Sequence, residues 1–317
     1  MSPNSEAIMI LCSHLCVPED LKPLEPHEWS KLAENLMKLN LTPEQLLGFE
    51  HSDFTKKLGI DDSEAERMER LIARSGSLRF ALTKYEDIGM LFVTRADADY
   101  PPKLKKKLGN GCPPMFYCAG DLRLLTKPAA GYVGSRNVDE ADIDFTGKAV
   151  AATAKNGYAV VSGGAKGVDS FSAVAALREG VAVIECLADS MLRKLKDKNV
   201  TSEIRAGHML LLSAVSPDAG FSVGTAMMRN RYIYAQSDGT VVVHSEKGKG
   251  GTWAGATENL KKEWCHTFCR DCDYPGNREL IKMGAIPIDE TWDGRLTAPE
   301  IHKKAEEKVE QLSLFDL

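Results

Sequence analysis

A cation stands in each of two glycine-bearing turns of this sequence. The first turn, residues 134–137, contains Arg136, and the second, residues 162–167, contains Lys166. Glycine allows a ligand to approach the backbone closely, and the start of a helix behind such a turn presents unpaired N–H groups that suit phosphate. Two such turns predict an anion site, although α/β proteins without a ligand there also need glycine turns between their elements.

Each turn follows a short apolar segment and precedes a segment with helical periodicity. The apolar segments are residues 131–133 and 158–161, and the helical segments are residues 145–155 and 169–178. Alternation of strand, turn and helix is typical of a parallel sheet with crossover helices. The turns of such a sheet lie together at the carboxyl ends of its strands, where ligands bind. Further strands are predicted at residues 88–93, 181–186, 209–213, 239–244 and 264–270.

Both turns resemble motifs of the DprA/Smf family of bacterial DNA-processing proteins. VGSRN at residues 133–137 and SGGAKGVDSFSAVAALREG at residues 162–180 match its VGSR and SG-x-A-x-G-ID patterns. RNR at residues 229–231 and the segment at 275–286 match later patterns in the same order, so the resemblance covers roughly residues 82–290. It implies an α/β fold in which a Rossmann-like parallel sheet with mixed edges carries helices on both faces, preceded by a small all-α N-terminal module.

The resemblance also implies a function. Family members bind single-stranded DNA and position it for a RecA-type recombinase during DNA uptake or repair, and they commonly form homodimers. Such binding rests on salt-dependent phosphate contacts with little sequence preference. The binding residues that the resemblance and the glycine turns imply are Gly134, Ser135, Arg136, Asn137, Ser162, Gly163, Gly164, Lys166, Arg229, Asn230, Arg231, Lys249, Gly250, Gly251 and Thr252.

Three positions depart from the family pattern. The family motif G-x-D-x-x-YP-x-x-N is lost after residue 186, and the usual histidine of the helix behind the second turn is Ala173. The family turn S-G-S-L-x-T-A is replaced by residues 247–253. These differences indicate a divergent member, whether it serves DNA uptake, repair, a mobile element or phage defence.

A nucleotide-binding enzyme or sensor is an alternative. The GGT turn at residues 250–252 is similar to the PGG-x-GT-x-x-E motif of Rossmann-like phosphoribohydrolases, but Glu258 follows Thr252 by six residues instead of three. Such an enzyme would need a closed pocket with Asp169 or Glu258 directed into it. Because no nucleophile, acid–base pair or metal centre stands in the matching positions, we expect a protein without catalysis or cofactor.

One cluster has the spacing of metal ligands. It comprises Cys265, His266, Cys269 and Cys272, which would suit zinc or an iron–sulfur cluster. Part of it falls on the strand predicted at residues 264–270, which favours free thiols over a metal site.

The chain divides into three predicted segments. Residues 1–80 form a helical module, because Trp29, Leu32 and Leu36 have helical spacing. The module is weakly similar to SAM-domain and helix-hairpin-helix modules, and a packing or protein-interaction role fits it equally well. Residues 81–295 form the Rossmann-like domain, and residues 296–317 form a charged helix and a tail.

The tail ends in a short motif similar to the pentapeptide by which bacterial proteins bind the polymerase sliding clamp. Its residues are Gln311, Leu312, Ser313, Leu314 and Phe315. One polar anchor with leucine and phenylalanine suits apolar pockets on a partner. The same apolar residues could instead pack on the tail's own domain. If the motif is the main function, the protein is an adaptor for the clamp.

Composition bounds these interpretations. The chain has 317 residues, 43% of them hydrophobic and 27% charged, as in ordinary globular proteins, and its formal net charge is −5. That charge argues against a surface covered in basic residues for duplex DNA, but it leaves room for a local basic groove. The sequence shows neither a long apolar run nor signal-peptide features, so we expect a cytoplasmic protein without membrane contact and with reduced thiols.

Overall fold

The structure is a computed structural model, and it describes residues 1–297. Five helices precede the first strand, with a 3-10 turn at Pro43–Gly48 between the second and third. These helices are α1 (Pro3–Cys12), α2 (Pro26–Lys38), α3 (His51–Leu58), α4 (Asp62–Ala73) and α5 (Ser75–Glu86). Helix α5 runs past residue 80, so the helical segment ends at Glu86.

The remaining residues alternate between strands and helices. The strands are β1 (Leu91–Thr94), β2 (Met115–Gly120), β3 (Ala129–Val133), β4 (Ala159–Ser162), β5 (Val183–Leu187), β6 (Met209–Ser213), β7 (Gly239–Val242), β8 (His266–Arg270) and β9 (Ile286–Ile288). The helices are α6 (Pro102–Leu108), α7 (Glu140–Lys155), α8 (Val168–Arg178), α9 (Met191–Lys194), α10 (Lys198–Arg205), α11 (Val223–Gln236), α12 (Gly250–Lys262) and α13 (Pro275–Lys282). None of the helices in residues 1–297 combines the length and apolar character needed to cross a bilayer.

All nine strands form one sheet in the order β1-β2-β6-β5-β4-β3-β7-β8-β9. The strands from β6 to β9 in this order run parallel, and β2 pairs antiparallel with both β1 and β6. The predicted parallel sheet with a mixed edge is therefore confirmed. Several element boundaries differ from the sequence-based prediction, and two of them have a clear physical cause. The first strand begins at Leu91 because Gly89, with φ of 84°, ends the preceding segment in a turn. Helix α7 begins at Glu140, five residues earlier than predicted, because the Asp139 carboxylate accepts the N–H of Asp142 and caps it.

Helices cover both faces of the sheet, as predicted. Alternate residues of a strand point to opposite faces, and β3 shows this clearly. Tyr132 belongs to the core beneath α7, α8 and the N-terminal helices. Val133 belongs to the core beneath α11, α12 and α13.

The N-terminal helices share the first of these cores with the sheet. Leu36 and Phe54 are buried in the same cluster as Tyr117 of β2. The hydroxyls of Ser13 and Tyr117 lie 2.9 Å apart. Arg74 is buried and donates to backbone carbonyls around the end of α1, including that of Ser13 at 2.7 Å. The division between a helical module and a Rossmann-like domain at residues 80 and 81 thus stays a prediction. The two segments share an apolar core at their boundary.

The strand order reverses at β3. From β3 the chain steps outward through β4, β5 and β6, and then returns through α11 to place β7 on the other side of β3. Ligands of open α/β sheets bind in the crevice at such a switch point, outside the carboxyl ends of the strands.

Candidate functional site

Three turns meet at the carboxyl ends of β3, β4 and β7. The backbone N–H of Val168, at the start of α8, donates to the carbonyl of Ser135 in the first turn at 3.2 Å. The hydroxyl of Thr252, in the first turn of α12, donates to the carbonyl of Gly134 at 2.9 Å. The turn after β3 is therefore held between the starts of two helices.

Gly167 allows the first two turns to pack this closely. Its φ is +81°, a left-handed conformation that side chains rarely adopt. A Cβ at this position would lie 2.2 Å from the carbonyl oxygen of Ser135. The last glycine of the second turn is thus required by the position of the first turn.

The meeting point encloses a cavity of about 400 Å³ at the switch point. Most of the predicted binding residues line it. These are Gly134, Ser135, Arg136, Lys166, Arg229, Asn230, Lys249, Gly250, Gly251 and Thr252. The side chains of Arg136, Lys166 and Lys249 are exposed, so their charges can reach a ligand.

A second cavity, of about 520 Å³, continues from the first toward β5. Arg136, Lys166 and Arg229 line both cavities, and Gly163 and Gly164 line the second. We call the two cavities together the strand-end groove. The sequence predicts one anion site, and the structure extends this site along four strand ends.

The β5 end of the groove has a mixed charge. Lys194 of α9 lies 2.7 Å from Glu185, a buried carboxylate on β5. Arg193 pairs with Asp189 at 3.3 Å, and Asp197 also lines this cavity. Because the acidic groups here are largely paired or balanced, the net positive charge concentrates in the middle of the groove.

Arg229 differs from the other cations because it is buried, with 7% exposure. Its Nη1 lies 3.5 Å from the carboxylate of Asp169 and 3.4 Å from the carbonyl of Cys186. Asp169 also accepts the backbone N–H of Gly163 at 3.1 Å. Burial raises the pKa of Asp169, while Arg229 acts to lower it. A Cβ on Gly163 would lie 1.2 Å from Nη1 of Arg229, so this glycine makes room for the guanidinium.

Three predicted residues do not line the groove. Arg231 instead pairs with Glu258 at 3.0 Å. Arg231 follows Arg229 by two positions, which corresponds to about 200° around the helix. The two arginines therefore point in nearly opposite directions. Asn137 is exposed outside the groove, and Ser162 is fully buried beneath the second turn.

Phe221 is a groove residue that the sequence analysis missed. It lines both cavities, is 55% exposed, and its ring centre lies 5.4 Å from the guanidinium carbon of Arg136. An exposed aromatic ring beside a cation offers a platform on which a base can stack. Its place just before α11, ahead of the RNR motif, was the available signal.

His244 was also missed. It lines the first cavity, and its Nδ1 lies 2.8 Å from the fully buried carboxylate of Asp142. Arg270 holds the other oxygen of that carboxylate at 2.9 Å. No local motif could reveal this cluster, because its residues come from β8, from α7 and from the end of β7.

Two helices reach the groove without a capping side chain, unlike α7 and α11. Helix α12 begins at Gly250 after Lys249, and α8 begins after Gly167. Their first-turn N–H groups therefore suit an anion. Tyr234 also lines the first cavity, and its buried hydroxyl has no partner within residues 1–297. Burial raises its pKa well above the usual value, so it stays protonated and can donate.

The side chains of the cysteine cluster do not come together at one site. Cys265 contacts the hydroxyl of Thr240 at 3.3 Å, whereas the thiol of Cys269 is buried on the other side, beside Asn277. His266 is exposed at the start of β8. No three metal-binding side chains come together anywhere in the described part of the chain, and its cysteines are free thiols.

The model of the DNA recombination-mediator protein A family matches residues 91–294. DNA processing protein DprA of Bacillus subtilis (strain 168) is 27% identical over 183 residues, which are 57% of this chain. The match covers 61% of that relative's own length.

Two solved structures are similar in fold. DNA processing protein A of Streptococcus pneumoniae has a TM-score of 0.62 at 20% identity, over 84% of this chain and 95% of that one. The corresponding protein of Helicobacter pylori has a TM-score of 0.52 at 28% identity, over 63% of this chain and 90% of that one. The H. pylori structure is described as giving insight into a unique single-stranded DNA binding mode.

These matches confirm the resemblance that the two glycine turns suggested. The matched segment runs from β1 past β9 and so contains every residue of the strand-end groove. The chain belongs to the DNA recombination-mediator protein A family.

Proposed function

We propose that this protein binds single-stranded DNA in the strand-end groove and positions it for a RecA-type recombinase. One observation carries the proposal: three exposed cations, two uncapped helix starts and an exposed aromatic ring converge on one continuous groove. The cations and the helix N-termini can bind phosphates, and the aromatic ring can stack on a base. The H. pylori relative, whose single-stranded DNA binding mode has been described, supports the same ligand.

The overall charge of the protein is compatible with this ligand. The formal net charge is −5, but a nucleic acid responds to the field of the groove and not to the total. In the middle of the groove the buried carboxylate of Asp169 lies against Arg229. The exposed charges of Arg136 and Lys166 are thus left to attract phosphate.

The proposed mechanism is positioning without bond-making. The rival enzyme would need Asp169 or Glu258 directed into a closed pocket. Glu258 pairs with Arg231 outside the groove. Asp169 does line the first cavity, but its carboxylate accepts backbone N–H groups of the second turn. This arrangement favours a structural role for the Asp169 carboxylate over a catalytic one. A small nucleotide remains the competing ligand for the groove.

Arg136→Ala and Lys166→Ala are each expected to weaken binding of a thymidine oligonucleotide about tenfold at ~0.1 M salt, because each removes an exposed phosphate contact. Fluorescence anisotropy at several salt concentrations measures this. Each variant should also reduce the slope of log affinity against log salt by about 0.7, the value for one phosphate contact in single strands.

Arg231→Ala is the matched control, since this arginine belongs to the same sequence motif but lies outside the groove. Equal losses for Arg231→Ala and Arg136→Ala would place the binding surface elsewhere. If the wild type binds a mononucleotide tightly and ignores the oligonucleotide, the alternative ligand is correct.

The same proposal includes a RecA-type recombinase as partner, assembly into a homodimer, and a cytoplasmic location. A protein that hands DNA to a recombinase must work where that recombinase works. Mixing the protein with a RecA-type recombinase on coated single strands, and measuring filament formation, tests the handover directly.

The clamp motif makes a separate proposal, because residues 311–315 lie outside the described residues. We expect that deleting residues 311–317 abolishes binding to a bacterial sliding clamp and leaves the oligonucleotide affinity unchanged. Surface plasmon resonance with immobilised clamp measures the first effect. Replacing Leu314 and Phe315 with alanine should match the deletion, because these side chains would fill the partner's pockets. Undiminished clamp binding by the deletion would refute the motif.

A further inference from the structure

His244 lies at the β7 end of the groove. Its Nδ1 contacts a carboxylate, and its Nε2 is available to a ligand. Its Nδ1 lies 2.8 Å from Asp142, and its ring stacks on Tyr274 with centroids 3.7 Å apart and planes 6° apart. Two contacts from different directions fix the ring. His244 lines the first cavity, and its Nε2 has no hydrogen-bond partner within residues 1–297.

Asp142 determines which hydrogen the ring carries. Its carboxylate is fully buried and shared between His244 and Arg270. Since the carboxylate accepts from Nδ1–H, a neutral ring has only a lone pair at Nε2, which repels a phosphate oxygen. A protonated ring carries a hydrogen on both nitrogens and can donate from Nε2. Because Asp142 is already paired with Arg270, that protonation adds a positive charge beside the first cavity.

Charged and titratable groups face His244 from every element around it. Those next to the ring or its contacts are Asp139, Asp142, Arg270 and Tyr274, and those that share the first cavity with it are Arg136, Lys166, Asp169, Arg229, Tyr234, Glu246 and Lys249.

Several of these groups have a pKa that is shifted from its ordinary value. Hydrogen bonds, first from the backbone N–H of Asp142 and then from Tyr274, lower the pKa of Asp139. Burial, together with the bond to Asp139, raises the pKa of Tyr274 to about 12. Burial also raises the pKa of Asp169, which makes Asp169 the main competitor as a source of proton linkage.

We propose that His244 takes up a proton from solvent when the groove binds DNA and donates its Nε2–H to a phosphodiester oxygen. The inference rests on the proposed function and adds a regulatory coupling to it: DNA affinity rises as pH falls. Histidine is the side chain whose charge changes within the physiological range. A coupling of about fivefold in affinity between pH 8 and pH 6 is expected, at the lower end of typical linkage between two ligands.

Isothermal titration calorimetry of the full chain with a thymidine oligonucleotide tests the inference. The oligonucleotide carries no terminal phosphate, because a phosphomonoester would titrate in the same range. Measurements at one pH in two buffers of different ionisation enthalpy give the number of protons taken up on binding. We expect net uptake for the wild type and for His266→Gln, whose histidine is exposed at the opposite edge of the sheet. We expect uptake to vanish in His244→Gln and His244→Asn, together with the fivefold pH effect.

The outcomes separate the two proposals. An oligonucleotide that fails to bind the wild type at low salt overturns the proposed function, and this inference with it. Binding with proton uptake that persists in both folded His244 variants overturns only this inference. Uptake that disappears in Asp169→Asn but not in the His244 variants assigns the proton to Asp169, and this result also overturns the inference about His244. Using two variants guards against one that fails to fold, since asparagine can keep the bond to Asp142.

Discussion

Arg229→Met is expected to destabilise the protein by about 3 kcal/mol at pH 8, because it leaves the buried carboxylate of Asp169 without its cation. Arg229 is 7% exposed and lies 3.5 Å from Asp169. Methionine keeps most of the apolar stem and removes the charge. Urea denaturation followed by circular dichroism gives the free energy of unfolding of each variant.

The cost should depend on pH in a definite direction. Burial already raises the pKa of Asp169, and Arg229 opposes that shift. Without Arg229 the folded-state pKa rises further above the unfolded value. A group of this kind contributes stability below its folded pKa and loses it as pH rises through that value. The destabilisation by Arg229→Met should therefore be smaller at pH 5 than at pH 8.

A second substitution isolates the pair. Asn can still accept the backbone N–H groups of the second turn but carries no charge. Asp169→Asn should therefore restore most of the stability lost in Arg229→Met and remove its pH dependence. A cost that is equal at both pH values, or that Asp169→Asn fails to relieve, would show that Arg229 acts only by packing. The same burial means that Arg229→Ala is not a clean test of a phosphate contact.

Gly167→Ala is expected to cost about 3 kcal/mol or more and to reduce oligonucleotide affinity more than tenfold. The position has φ of +81°, and a Cβ would lie 2.2 Å from the carbonyl oxygen of Ser135. The left-handed backbone strains any residue with a side chain, and the clash adds to that strain. The first and second turns must then separate, which moves Arg136 away from Lys166.

Gly180→Ala is the control for backbone strain alone. Gly180 has φ of +72° with nothing within 4 Å of a Cβ, so alanine there should cost only about 1 kcal/mol and leave DNA binding intact. Thermal unfolding and anisotropy on the same preparations measure both effects. Similar losses for the two alanine variants would mean that the contact between the turns is not needed.

The sequence predicts the glycine turns and their cations because that information is local. Strand, turn and helix follow one another along the chain, and Arg136 and Lys166 belong to the turns themselves. The parallel sheet follows from the same alternation. The order of the strands does not, because it depends on how distant segments pair.

Side-chain direction and long-range packing explain the predictions that differ from the structure. Arg229 and Arg231 belong to one motif, yet their positions around the helix direct Arg229 into the protein and Arg231 toward Glu258. Ser162 is hidden by the turn that follows it. His244 joins Asp142 only because β7 pairs with β3.

The pairing of β3 with β7 has a consequence for how the protein matures. The two strands are neighbours in the sheet but are separated along the chain by everything from α7 to α11. Contacts between such distant segments form late, because the loop between them must first be closed. The half of the sheet from β3 to β6 can assemble as soon as it is synthesised, but the groove has no β7 wall until residues 239–242 arrive. A chain that stops before Gly239 therefore lacks the β7 side of the strand-end groove, although it contains β3, β4 and β5.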